Sequence, residues 1–316
     1  MKTLLLLGLV LAVAASRAAA QAADTAFAPP WNPPLTGGVS FTVPGIDNAA
    51  DLYGDVNDPD LVVFFAGNQF MVLDDLLEAF RRQYPQYRRI FVETLPPGIL
   101  ADQVKQGALI TGNLRVTLKP DVFADGNASM TEKADWFTRT AAYAQNQLTI
   151  MVRAGNPKHI KGLADLGRAD VRVSMPNPAW EGVGKQIEAA YRKVGGPALE
   201  TKIMQAKVQD HTTYLTRIHH RETPLRLLRD ESDAGPVWYS EAFYQRMIHH
   251  PISWVELPQT DNVVTTYVAG TMKTAPHPQA AAHFLAFLTS AEGQAVYRKY
   301  GFMPPPAPET AQTKKQ

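Results

Sequence analysis

Three short segments of one composition hold the residues best suited to chemistry. They are Ala66-Gly67-Asn68-Gln69, Ala124-Asp125-Gly126-Asn127-Ala128-Ser129 and Pro176-Asn177-Pro178-Ala179-Trp180-Glu181-Gly182. Glycine lets the backbone approach a ligand closely, while Asn and Ser add side-chain donors. Any one of them also reads as an ordinary helix cap, which draws on the same residue types. Three in one chain point to a shared duty. Backbone N–H groups at the starts of helices suit a small anion.

Motifs for bond-making are missing. There is no Gly-x-Ser-x-Gly, so nothing supports a nucleophile elbow. Gly182-Val183-Gly184-Lys185 resembles the end of a phosphate loop, but Gln186 stands where Ser or Thr is required and Ala179 where the first Gly belongs. His219-His220 and His249-His250 are adjacent pairs. Neighbours on a helix point about 100° apart, so neither pair chelates locally. No His-x3-His or Glu-x2-His spacing marks a metal site. One assembled from distant His211, His219 or His220 with Tyr239 and Glu181 stays open as an alternative. The expectation is a binding protein rather than an enzyme, with no cofactor and no resident metal.

The elements that would position these turns alternate between strand and helix. Leu61 to Ala66 is a continuous apolar run, as in a strand buried on both faces. After Gly67-Asn68, positions Leu73, Leu76, Leu77, Phe80 and Tyr84 form a helical stripe that Pro85 ends. Strands follow at Ile90 to Glu93, Asp121 to Ala124 and Leu148 to Val152, and another unit begins at Val171. Its helix carries Val183, Ile187, Ala190, Tyr191 and Val194 and should end at Gly195-Gly196. Thr223-Pro224 reads as a cap followed by a first-position proline. Further strands are expected at Gly235 to Tyr239, Ile252 to Leu257 and Val263 to Val268, with helices from Glu241, at Pro278 to Leu288 and at Ala291 to Tyr300. Such alternation implies an α/β fold with mostly parallel sheets flanked by helices.

The ends are different material. Met1-Lys2-Thr3, the apolar run Leu4 to Ala15 and the small residues Ser16 and Ala18-Ala19-Ala20 make a three-part secretory signal over 1–20. The run is short of the ~20 residues that span a bilayer. Residues 21–60, with Pro29-Pro30-Trp31-Asn32-Pro33-Pro34, read as an extended arm, and Pro304 to Gln316 as a polar tail. Without residues 1–20, Lys plus Arg falls from 31 to 29 against 30 acids, a net charge of −1. That balance leaves no electrostatic footprint for nucleic acid. The absence of Cys rules out disulfides, thiol catalysis and a lipid-modified N-terminal Cys.

Asp121 to Ala124 with Gly126-Asn127-Ala128, Leu148 to Pro157, Ala234 to Ala242, and the block from Ala281 through Gly301-Phe302 resemble extracellular solute-binding proteins of the molybdate-binding type. The resemblance runs from about Leu61 to Pro304. It implies a type II periplasmic binding fold, with a ligand cleft between a first lobe of 39–146 plus 242–316 and a second of 147–241. It also implies ligand contacts at Gly67, Asn68 and Gln69, at Gly126, Asn127 and Ala128, at Trp180, Glu181 and Gly182, and at Tyr239. The implied ligand is an oxyanion such as molybdate or tungstate. The implied partner is an ABC-type membrane permease or a periplasmic sensor, and the chain would act as a monomer. This sequence departs from the pattern in two ways: the first turn has Asn68 and Gln69 where hydroxyl residues are usual, and Glu181 stands beside the third. A metal ion, a polar organic solute, or an accessory role to a periplasmic redox enzyme are the alternatives.

The signal pattern predicts a mature protein that begins near Gln21. Intact mass spectrometry of protein from the periplasmic fraction should show residues 1–20 missing, and a retained Met1 would overturn this.

Overall fold

The computed structural model describes residues 39–42, 50–111 and 113–307, with backbone only at 39–42, 50 and 111. The expected signal segment, most of the arm and the end of the tail lie outside the described residues.

The strands among the described residues are β1 (Val39–Thr42), β2 (Ala50–Gly54), β3 (Leu61–Ala66), β4 (Ile90–Leu95), β5 (Leu109–Thr111), β6 (Leu114–Val116), β7 (Val122–Gly126), β8 (Phe137–Arg153), β9 (Val173–Met175), β10 (Thr213–Leu215), β11 (Ala234–Trp238), β12 (Ile252–Glu256) and β13 (Val264–Met272). The helices that matter here are α1 (Leu73–Gln83), α2 (Pro97–Gln106), α3 (Asn127–Glu132), α4 (Gly182–Thr201), α5 (Glu222–Leu228), α6 (Tyr239–Met247), α7 (Pro278–Leu288) and α8 (Ala291–Lys299).

β3 shows why the chain folds as it does. Its side chains alternate, so Val63 and Phe65 enter one apolar cluster while Val62 and Phe64 enter another on the opposite face. Parallel partners β4 and β7 flank it. The α1 stripe, Leu76, Leu77 and Phe80, packs on the first face, where Phe80 meets Phe284 of α7 edge-on at 5.0 Å. Asp121, wholly buried, accepts from Val62 N–H at 2.8 Å and His277 N–H at 2.6 Å, which fastens β3 to the start of α7.

A separate core lies along β9, β10 and β11. Val173, Met175 and Ala234 meet Val183, Ile187, Ala190 and Tyr191 of α4 there. α4 breaks where glycine was expected to end it: Gly196 is left-handed at φ 66°, and Pro197 restarts the helix. α5 begins two residues earlier than expected, at Glu222 rather than Pro224. Glu222 accepts from the Arg217 and Ile218 N–H groups, so Thr223 lies inside the first turn and its Oγ1 pairs with Ser174 Oγ at 3.0 Å.

One strand joins the two cores. β8 is 17 residues long. Its first part pairs antiparallel with β13, and its second with β11 and β12. The sheet is therefore mixed rather than mostly parallel. The parallel pairs are β3–β4, β3–β7, β9–β10 and β9–β11. Residues Phe137 to Gln147 escaped the sequence reading because Thr138, Arg139, Thr140, Gln145, Asn146 and Gln147 look too polar for a strand. Part of the arm also joins the sheet, since β1 pairs with β2 and β2 with β4.

Glu93 on β4 is wholly buried and accepts from Gln103 Nε2 at 2.9 Å. Burial holds its carboxyl up at about 8 against an ordinary 4.5; the Gln103 bond pulls it down and the charge of Asp51 pushes it further up. The folded state thus keeps a proton that the unfolded chain releases from about pH 4.5 upward. Stability conferred below that pH drains away as pH rises to about 8. Glu93→Gln should match the wild type in melts at pH 5 and exceed it at pH 8, the gap widening by at most about 1.4 kcal/mol per pH unit. A constant gap would show that Glu93 titrates ordinarily.

Candidate functional site

A cavity of about 160 Å³ opens where the two cores meet. Drug-sized ligands occupy roughly 300–1,000 Å³, so this one suits something small. Gly67 and Asn68 line it from the end of β3, and Asp125, Gly126, Ala128 and Ser129 from the end of β7. Gly182, Val183 and Gln186 line it from the start of α4. His220, Trp238, Thr265 and Tyr267 complete the wall. All three turns singled out from sequence therefore converge, and no Lys or Arg stands among these lining residues.

The individual side chains divide. Gly67, Asn68, Gly126, Ala128 and Gly182 reach the cavity. The Asn68 amide is committed to the protein: Nδ2 donates to Tyr267 Oη at 2.5 Å and Oδ1 accepts from Gln69 Nε2 at 3.3 Å. Gln69 is wholly buried behind it. The first turn thus offers backbone N–H groups, while Asn68 orients Tyr267. Burial pushes the Tyr267 phenol well up, so it stays a neutral O–H donor at any working pH. Asn127 is exposed on the far side of α3 and lines a different groove. Tyr239 turns away, its ring 5.9 Å from Phe243 and edge-on to Trp254 at 5.3 Å. Trp180 is half-buried outside the lining.

Glu181 is buried but does not line the cavity. Its Oε1 accepts from Thr216 Oγ1 and from Asn177 N–H at 3.2 Å, and its Oε2 from His220 N–H at 3.2 Å. The carboxylate that would repel an anion is therefore surrounded by protein donors. It ties the entrance of α4 to the loop that carries His220. Sequence reasoning did not select His220, Trp238, Gln186, Thr265 or Tyr267, although the alternative metal set included His220. Thr265 and Tyr267 belong to a strand about 200 residues beyond Asn68, and only tertiary pairing brings them here. His220 Nδ1 pairs with Glu241 Oε1 at 2.8 Å. Burial raises the Glu241 carboxyl, His220 pulls it back, and the charge of Glu181 raises it again. His211 is exposed, and among the described residues no three His, Asp or Glu converge to hold a metal ion.

Around this cavity the two cores are in close contact. Asp51 of β2 lies 3.3 Å from Arg221 Nη1 and 3.4 Å from His219 Nε2, and the Arg221 guanidinium sits 4.0 Å over the Phe70 ring. Gly67 lies so near His219 that a Cβ there would stand 2.4 Å from Nδ1.

The family described as bacterial extracellular solute-binding protein matches residues 61–303. A relative in Mycobacterium bovis, named molybdate-binding protein ModA, is 26% identical over 212 residues, 65% of this chain and 70% of its own. Two solved structures share the fold. The sulfate-binding protein SubI of Mycobacterium tuberculosis H37Rv superposes with a TM-score of 0.63 at 21% identity, over 77% of this chain and 86% of that one. The periplasmic molybdate-binding protein of Azotobacter vinelandii gives 0.62 at 15% identity, over 78% and 100%.

Gly67→Ala should overpack the contact with the buried His219 and lower the stability of the protein by about 1–3 kcal/mol. Thermal melts of the variant and the wild type, both without ligand, check this, and the variant should melt a few degrees lower. An unchanged Tm would mean that the contact relaxes without cost.

Proposed function

Because the chain belongs to the bacterial extracellular solute-binding proteins, we propose that it captures a small oxyanion, such as molybdate or tungstate, and delivers it to an ABC-type membrane permease. The observation that carries this reading is the convergence of three glycine-bearing turns on a space of about 160 Å³. Backbone N–H groups bind a compact anion without a neutralising cation, and in a dry cleft each charge-assisted bond contributes roughly 1.5–3 kcal/mol. The relatives named for molybdate and sulfate support the ligand class.

On this reading the protein works outside the cytoplasm as a non-catalytic monomer. We divide the described residues as the resemblance implies, those within 39–146 and 242–307 in a first lobe and those within 147–241 in a second, with one amendment. β12 pairs with the second part of β8, and Val255, Leu257 and Val263 pack in the second core, so residues 252–263 go with the second lobe. A polar organic solute is the second reading, favoured by Trp238 in the wall.

A thermal-shift series over molybdate, tungstate, sulfate, phosphate, divalent metals and small organic acids tests the assignment. A ligand at a hundred times its Kd adds about 2.7 kcal/mol, so one of the oxyanions should raise Tm by roughly 5 °C or more. A shift with metals or organic acids alone would overturn the oxyanion reading.

A further inference from the structure

β8 leaves the first core at Ala144 and enters the second at Leu148. Gln145, Asn146 and Gln147 fill the gap between them. Asn146 is only 1% exposed. Its Oδ1 accepts from the N–H groups of Gln147 at 3.0 Å and Ser240 at 3.4 Å, which fixes how the amide is turned. Nδ2 therefore points the other way and donates to Ser240 Oγ at 2.8 Å. Ser240 is wholly buried in the first turn of α6. There the chain passes back from the second core, which holds Trp238, to the first, which holds Tyr244.

Two lines of contact run from this junction to opposite walls of the cavity. On one side the Asn146 amide also donates to the Tyr267 hydroxyl, which accepts from Asn68 of the first turn at 2.5 Å. Burial pushes that phenol up, Asn68 pulls it back, the charge of Glu241 raises it and Asn146 pulls it back again. On the other side Glu241, the residue after Ser240, holds His220 Nδ1 at 2.8 Å. Tyr267 and His220 line the cavity, whereas Asn146, Ser240 and Glu241 stand behind it.

We propose that the start of α6 is a hinge switch, in which Ser240 and Glu241 tie both cavity walls to one point, so that the first turn takes its binding form only when the lobes are closed. The proposal rests on the two-lobe reading above and gives Asn146 and Ser240 positioning roles, since neither meets the ligand. A ligand reaches a cavity walled by both cores when they part. Parting turns β8 and α6 against each other on either side of the Asn146–Ser240 bond. Without that bond the Asn146 amide is no longer held, Tyr267 loses a donor, and Asn68 loses a fixed partner. Buried polar groups left unsatisfied are costly, so the set and unset arrangements are two states rather than a continuum. A ligand that prefers the set turn draws the hinge closed by that difference in affinity.

Ser240→Ala tests this from outside the cavity. In the ligand-free full-length protein, amide hydrogen exchange at Gly67–Gln69 should quicken roughly three- to ten-fold beyond any change at Val173–Met175 in the second core. Calorimetric titration with molybdate, tungstate, sulfate and phosphate should show the affinity for whichever of them binds weakened by a similar factor. Tyr267→Phe should do the same, and the double variant should lose no more than either alone, because both act through Asn146. Should Tyr267→Phe not fold, exchange in Ser240→Ala decides alone. Exchange that rises equally in both segments, or additive losses of affinity, would overturn the switch and leave the oxyanion reading standing. Quickened exchange at Gly67–Gln69 with no binding of these four anions would support the switch and remove the oxyanion reading.

Discussion

The architecture around the cavity depends on one buried pairing, Asp51 with Arg221. The two are 0% and 1% exposed, so neither has water to stabilise its charge. Desolvating an ion costs several kcal/mol, and a pair in that position is worth little as net stability but much as a constraint. Satisfying it seats the loop before α5 against β2 and lays the guanidinium on Phe70. The next residue back, His220, is thereby turned to Glu241, and its N–H to Glu181. Glu181 in turn holds the start of α4. The wall of the cavity is thus set by a chain of polar contacts that begins well outside it.

Much of this was legible in the sequence because it is local. The β3 run, the α1 stripe and the Gly195-Gly196 break follow from periodicity and from backbone freedom, and the three turns follow from composition. What escaped was set by distance along the chain. Nothing near Asn68 announces that its amide serves Tyr267, and nothing near Glu181 announces Thr216 and His220 as donors. Tyr239 shows the converse. It follows a strand that does reach the cavity through Trp238, yet one residue further on α6 the side chain belongs to an aromatic group on another face. The first half of β8 was hidden for a different reason: β13 is its strand partner and Thr138 to Thr140 face solvent, so polar side chains are tolerated there, and Thr138 bonds across to Thr271.

A cavity walled without Lys or Arg has a selectivity unlike that of a cationic one. Point charges attract any anion, whereas backbone donors at fixed spacing reward a particular geometry. Such a site rejects a wrong ligand by leaving one of its own groups unpaired, which discriminates more sharply than a small change of volume.

The insertion of β13 between β7 and β8 has a consequence for how the molecule is made. β7 and β8 leave the ribosome long before Val264–Met272. The same core also waits for Phe284 and Phe287 of α7 to cover Phe80. Contacts this remote in sequence close slowly, because the loop entropy is lost before any of the burial is gained. The first core therefore cannot consolidate until almost the whole chain has been synthesised, whereas the strands of the second core are all present once Glu256 has emerged.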